Sequence, residues 1–266
     1  MPDAPARFPV ESCPQVATSL VPDAAAPQVV RQPGHYDRAF YSGMAALMAL
    51  TVFVGFARTY YLRAFFDVPT LGGRLELTPL VYFHGFVFTA WVALFVVQTG
   101  LVRARRIDVH RRLGMAGMVL AAIMVPTGVS TAIAAGAAGA AGPGVDPLAF
   151  MAVPLTDMVL FTLFVSTAFL NRRDREAHKR LMLLAYVSII TAGVARIPGL
   201  AGAGPLVFFS LSFVFALFGM AYDRWSRRRV HPVYLWGGAL IAVSVPGRLA
   251  LSGTAAWHAF AEFLTR

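Results

Sequence analysis

Charge is scarce in this 266-residue chain, where 14% of residues are Asp, Glu, Lys or Arg. A soluble domain carries about 25%. Lysine is scarcer still: Lys179 stands alone beside 22 arginines. It falls in a basic stretch, so no apolar segment carries the lysine that a retinal Schiff base needs. The single cysteine, Cys13, lies near the N-terminus, which excludes an internal disulfide and a cysteine-based metal site. Residues 1–37 have no apolar run long enough for the core of a signal peptide. Their seven prolines, from Pro2 to Pro33, predict a disordered cytoplasmic tail ahead of a transmembrane domain over 38–266.

What the chain has in abundance is apolar surface: 58% hydrophobic residues and a mean hydropathy of +0.64. That composition excludes a soluble enzyme, a disordered chain and a soluble DNA-binding domain. It implies an integral membrane protein. A helix needs about 20 apolar residues to cross the hydrocarbon core. Seven stretches meet that length: 40–57, 78–102, 113–135, 148–170, 180–201, 205–222 and 233–254. The fold expected is an all-α bundle of seven transmembrane helices. Aromatic residues gather at several ends, among them Tyr60, Tyr61, Tyr222, Trp225, Tyr234, Trp236 and Trp257, as an interfacial belt requires.

The arginines set the orientation. Arg103, Arg105, Arg106, Arg111 and Arg112 separate spans two and three. Arg172, Arg173, Arg175, Lys179 and Arg180 separate four and five, and Arg224, Arg227, Arg228 and Arg229 separate six and seven. Loops 136–147 and 202–204 contain neither Lys nor Arg. Basic loops stay cytoplasmic during insertion, so the N-terminus is expected inside and the C-terminus outside. The partner this basicity implies is the lipid bilayer of a bacterial inner membrane, crossed several times, rather than a nucleic acid. A second membrane subunit is a further candidate partner. The motif His110-Arg-Arg-Leu-Gly opens span three and His178-Lys-Arg-Leu-Met opens span five, while His231-Pro opens span seven. Pro126, Pro198 and Pro246 follow in the outer halves of the same spans, each with a glycine within two residues. A threefold parallel repeat of helix hairpins would explain this. So would the ordinary abundance of basic ends and Pro/Gly in membrane helices.

Three ionisable residues sit where lipid should be: Asp157, Arg196 and Arg248. Each would cost about 2.5–3.5 kcal/mol at mid-membrane, so it should face the interior with a partner. With His84 they fall in one leaflet from four helices, which makes a candidate substrate-binding site. The plainer alternative is a structural pair of Asp157 with one arginine, the other snorkelling to the surface.

In span two, His84, Phe88, Trp91, Phe95 and Gln98 share one helical stripe. Such a stripe suits a helix lining a cofactor, and equally one that packs through aromatics. Two imidazoles on facing helices could hold haem b: His84 with His258 on the outer side, or His110 with His178 on the inner side. Nearby arginines could pair with haem propionates. No sharp metal-binding spacing such as H-E-x-x-H occurs. The run Tyr82-Phe-His84, Trp91, Gln98-Thr-Gly, His110-Arg-Arg-Leu-Gly114 and His178-Lys-Arg-Leu-Met182 resembles a group of bacterial polytopic membrane proteins. These are similar in layout to cytochrome b561-type and respiratory-oxidase-assembly membrane proteins. The resemblance covers spans two to five and implies haem or copper handling near the respiratory chain, with His84, His110 and His178 as the matching histidines.

Three functions are therefore expected from different classes. One is a haem-binding redox or respiratory-complex-associated protein. Another is a transporter-like protein using Asp157, Arg196 and Arg248. The third is an accessory subunit whose interior charges are structural. No enzyme class is assigned.

Overall fold

The computed structural model describes residues 36–66, 77–141, 144–200 and 203–266, all within the unit Pro33–Arg266. Every regular element among them is helical. The tail expected over 1–37 lies outside the described residues, apart from Tyr36 and Asp37. Asp37 opens α1 (Asp37–Phe56), which continues through a π-helical turn, Ala57–Tyr61. Then come α2 (Pro79–Arg103), α3 (Ile107–Ala137), the single turn α4 (Pro147–Phe150) and α5 (Ala152–Leu170). The chain ends with α6 (Arg175–Val194), α7 (Pro205–Arg227), α8 (Pro232–Ser252) and α9 (Ala255–Thr265).

The starts are written locally. Thr78 caps α2 by accepting from the Val81 N–H, and Asp174 caps α6 by accepting from Glu176 and Ala177. Prolines occupy the first turns of α2, α7 and α8, where a missing N–H leaves nothing unpaired. The turn after α7 is set by Arg228, in the left-handed region at φ 61°.

Among the described residues, six segments are long and apolar enough to cross a membrane: Asp37–Tyr61, Pro79–Arg103, Ile107–Ala137, Pro147–Leu170, Pro205–Arg227 and Pro232–Ser252. The protein is thus a multi-pass membrane protein. The stretch expected at 180–201 behaves differently. Its helix, α6, begins earlier and ends at Val194, so Pro198 lies beyond it, whereas Pro126 and Pro246 do sit inside α3 and α8.

Helix α6 is also the axis of the molecule. It packs against α1, α5, α7 and α8, and 13 of its 20 residues are buried. Helix α2 buries only Val87, Trp91 and Phe95 of its 25, leaving the rest of its apolar surface for lipid. Where α1 meets α6, a Cβ on Gly55 would lie 2.0 Å from the Gly193 carbonyl oxygen, so the backbones touch directly.

Helix α9 was not anticipated. Its Trp257 and Ala261 pack with Met151 and Ala152, and the Trp257 indole donates to the Leu148 carbonyl at 2.8 Å. Phe260 and Phe263 stay exposed on its other side. The Gly- and Ala-rich stretch 134–141 divides: α3 takes it through Ala137, and a turn follows.

Candidate functional site

Asp157 on α5 and Arg248 on α8 meet as a buried ion pair, with Nη1 donating to Oδ1 at 2.5 Å. Ser244, one turn before Arg248, holds the guanidinium in place. Its Oγ accepts from Nη2 at 2.8 Å and its carbonyl accepts from Nε at 3.2 Å. The Phe209 ring of α7 lies under the same cation, 4.8 Å from its centroid.

The pair is not sealed in protein. It forms part of the wall of a cavity of about 210 Å³ between α5, α6, α7 and α8. Ser188, Thr191, Ser210 and Ser212 contribute hydroxyls to that wall. The hydroxyls of Ser188 and Ser212 spend their protons on their own helices, donating to Ala185 and Phe208, so they offer lone pairs to the cavity. Pro246 and Ala242 also line it, and a proline nitrogen cannot supply the helical N–H that the Ala242 carbonyl would otherwise receive. The second oxygen of Asp157 has no hydrogen bond among the described residues. The cavity is rich in acceptors, and its cation is already engaged.

Arg196 is not part of this site. It lies past the end of α6, donates to the Ala192 carbonyl at 2.7 Å and sits 4.8 Å over the Phe56 ring, where it caps the helix end. His84 stacks on Phe88 at 4.0 Å, and its Nδ1 is buried without a partner. The stripe on α2 does face inward. Trp91 meets Phe161 edge-on at 5.1 Å, and Phe95 meets Tyr186 at 5.0 Å.

Of the two histidine pairs, one is brought together. His110 and His178 lie 6.5 Å apart between ring centroids. Nδ1 of His178 bonds the Ala168 carbonyl at 2.8 Å. Nδ1 of His110 meets the Gln98 amide at 2.6 Å, in the orientation that also lets Gln98 accept from the Gly114 N–H at 2.9 Å. The other pair is not formed: His258, on α9, faces Asp146 at 3.5 Å. No group of three or more His, Cys, Asp or Glu among the described residues could hold a metal ion.

At the arginine-rich end lies an assembly that sequence reasoning missed. Arg180, fully buried on α6, donates to Asp223 of α7 through Nε at 2.8 Å and Nη2 at 2.5 Å, a bidentate fork. Its Nη1 reaches Glu176 Oε2 at 2.8 Å. Arg227 joins Asp37 at 2.6 Å and Glu176 at 3.0 Å, while Lys179 bridges Asp37 and Glu176. Tyr222 donates to Asp37 at 2.8 Å. Burial pushes the Glu176 carboxyl up, but hydrogen bonds from Lys179 and Arg180 outweigh it and hold it below its ordinary value. Lys179, Arg180 and Arg227, read from sequence as loop cations, thus tie α1, α6 and α7 together. The signal was there in part, because Glu176/Arg180 and Asp223/Arg227 stand four apart, the spacing of helical ion pairs.

Fold and site together define a class no narrower than a multi-pass membrane protein with a charged interior. No family model, no curated protein and no solved structure matches the chain.

Proposed function

We propose that this protein binds and moves a small hydrogen-bond-donating solute, such as a protonated amine, through the cavity walled by Asp157 and Arg248. The observation that carries this reading is that the interior ion pair borders an acceptor-rich cavity instead of being packed shut. Ionisable groups inside a membrane bundle mark solute pathways when they line space, and cost stability when they do not. An incoming ammonium would bond the unoccupied Asp157 oxygen and the spent hydroxyls. Arg248 would hold the carboxylate ionised in its absence. In this reading α6 is a seventh crossing. Its 20 residues reach about 30 Å, and it links the arginine-rich end of α5 to the start of α7. The alternation of basic loops supports a cytoplasmic N-terminus and a bacterial inner membrane.

The test uses purified full-length protein in neutral detergent, with methylammonium as probe and acetate as control. Methylammonium should raise the unfolding temperature of the wild type and leave Asp157→Asn unmoved, and proteoliposomes should take it up only with Asp157 intact. No shift, or a shift that survives Asp157→Asn, would sink the proposal.

A second reading, a redox role through haem b, rests on the closeness of His110 and His178. Both Nδ1 atoms are held by neighbours, which leaves Nε2 on each ring. Ligation through His110 Nε2 would need Gln98 to turn its amide so that its oxygen accepts from Nδ1–H. Haem there would supply one-electron transfer. An absorption spectrum before and after dithionite decides it. A Soret band lost in His110→Ala supports the reading, and colourless protein from haem-replete cells rejects it.

A further inference from the structure

A second cavity, about 500 Å³, opens at the arginine-rich end, lined by Glu176, Arg227, Arg229 and His231. Its charge can be counted. Asp37, Glu176 and Asp223 are three carboxylates, and Lys179, Arg180 and Arg227 are the three cations bonded to them. That network is balanced and leaves no cation over. Glu176, the one acid on the wall, has both oxygens occupied, by Lys179 on one and by Arg180 and Arg227 on the other.

Arg229 is outside this balance. It forms no ion pair among the described residues, yet it stands on the cavity wall. His231 stands beside it as the N-cap of α8, its Nδ1 accepting from the Val233 N–H at 3.2 Å. Burial, and then the charge of Arg180, keeps its pKa below that of an ordinary histidine. With Nδ1 used as acceptor, Nε2 carries the proton and can only donate. The backbone N–H of His231 is already taken by Asp223 Oδ2 at 3.1 Å, which fixes the ring at the rim. The two uncommitted groups on the wall are therefore a guanidinium and an imidazole N–H, both donors.

We propose that this cavity is an anion site for a phosphate group, bound by the Arg229 fork and His231 Nε2–H. A guanidinium matches two phosphate oxygens at once, and the balanced network beneath adds no net repulsion. The phosphate could come from an anionic lipid headgroup, since the cavity lies at the end of membrane-crossing helices, or from a free phosphate compound. The chemistry is the same.

The experiment uses the full chain in two settings. Thermal unfolding in neutral detergent is followed against inorganic phosphate, with chloride at equal ionic strength as control. The same protein in phosphatidylcholine nanodiscs is compared with nanodiscs containing phosphatidylglycerol. Saturable stabilisation is expected in at least one setting. Stabilisation by inorganic phosphate assigns a soluble ligand, and stabilisation by phosphatidylglycerol alone assigns a lipid. Arg229→Gln should weaken half-saturation at least tenfold, since it removes both the charge and the two-pronged contact. Arg173→Gln, an exposed arginine in another loop, should change nothing. If Arg229→Gln does not fold, Arg229→Lys reads the same site by keeping the charge and losing the fork, with binding weakened severalfold. The proposal is overturned if neither phosphate nor phosphatidylglycerol stabilises saturably. It is equally overturned if the Arg229 variants bind as wild type, or if Arg173→Gln weakens binding as much as they do.

Discussion

Two buried arginines sit at opposite ends of this bundle and meet their carboxylates differently. Arg180 is fully enclosed, grips Asp223 with two nitrogens and is braced by Glu176, within a network where three cations match three carboxylates. Arg248 holds Asp157 through one nitrogen, and the pair opens on a cavity. A buried pair contributes little net stability over an apolar replacement, but breaking one leaves an unpaired charge. What separates the two is what surrounds the charge. The first pair joins α6 to α7 and is fully enclosed, within a network that Asp37 extends to α1. The second is left within reach of a solute.

The largest effect should come from breaking the enclosed pair. Arg180→Gln or Asp223→Asn should lower stability by about 3–5 kcal/mol, because the surviving charge is fully buried and loses its two-pronged partner. Thermal unfolding in detergent reads this directly. A loss under about 1 kcal/mol would mean the network is wetter than its geometry indicates. Asp157→Asn or Arg248→Gln should cost less, about 1–3 kcal/mol, since the cavity lets water reach the orphaned group. If these variants lose as much as Arg180→Gln, the contrast between the two ends fails.

Acid should act on the network end through Glu176. Glu176 is held below its ordinary value of 4.5, so its contribution is present at neutral pH and lost as the pH falls below that value. Unfolding temperature should drop as the pH falls from about 5 to about 3 in the wild type. The drop should be smaller in Glu176→Gln, which has no carboxyl there to titrate. The smallest effect belongs to Arg196→Gln. A cation that caps its own helix end should be worth no more than about 0.5 kcal/mol, and methylammonium binding should be unchanged. A lost response in that variant would draw Arg196 back into the Asp157 site.

Much of the architecture is legible along the chain. Apolar runs add up locally, so the membrane helices and their breaks at Arg103–Arg106, Asn171–Asp174 and Arg228–Arg229 follow from composition, caps and prolines. Asp157 and Arg248 also declare themselves, because a charge inside an apolar helix is out of place wherever that helix packs. Helix α9 escaped because 11 residues are too few to register as a span, and its apolar face shows only once α3 and α4 supply its counterpart.

Which arginine takes Asp157 was beyond the sequence. Arg196 and Arg248 are equally charged and equally misplaced, and the choice depends on how α5, α6 and α8 are rotated about their axes. Asp157 and Arg248 are separated by 91 positions, and Arg180 and Asp223 by 43. Hydropathy is a sum over neighbours in the chain and carries no information about such distances. The sequence by itself determined that this is a helical membrane protein and where its charges are misplaced. Only packing decided that α6 is the axis, that Lys179, Arg180 and Arg227 turn inward, and that one ion pair is closed while the other lines a cavity. Those outcomes rest on the mutual rotation of helices, which a one-dimensional pattern does not fix.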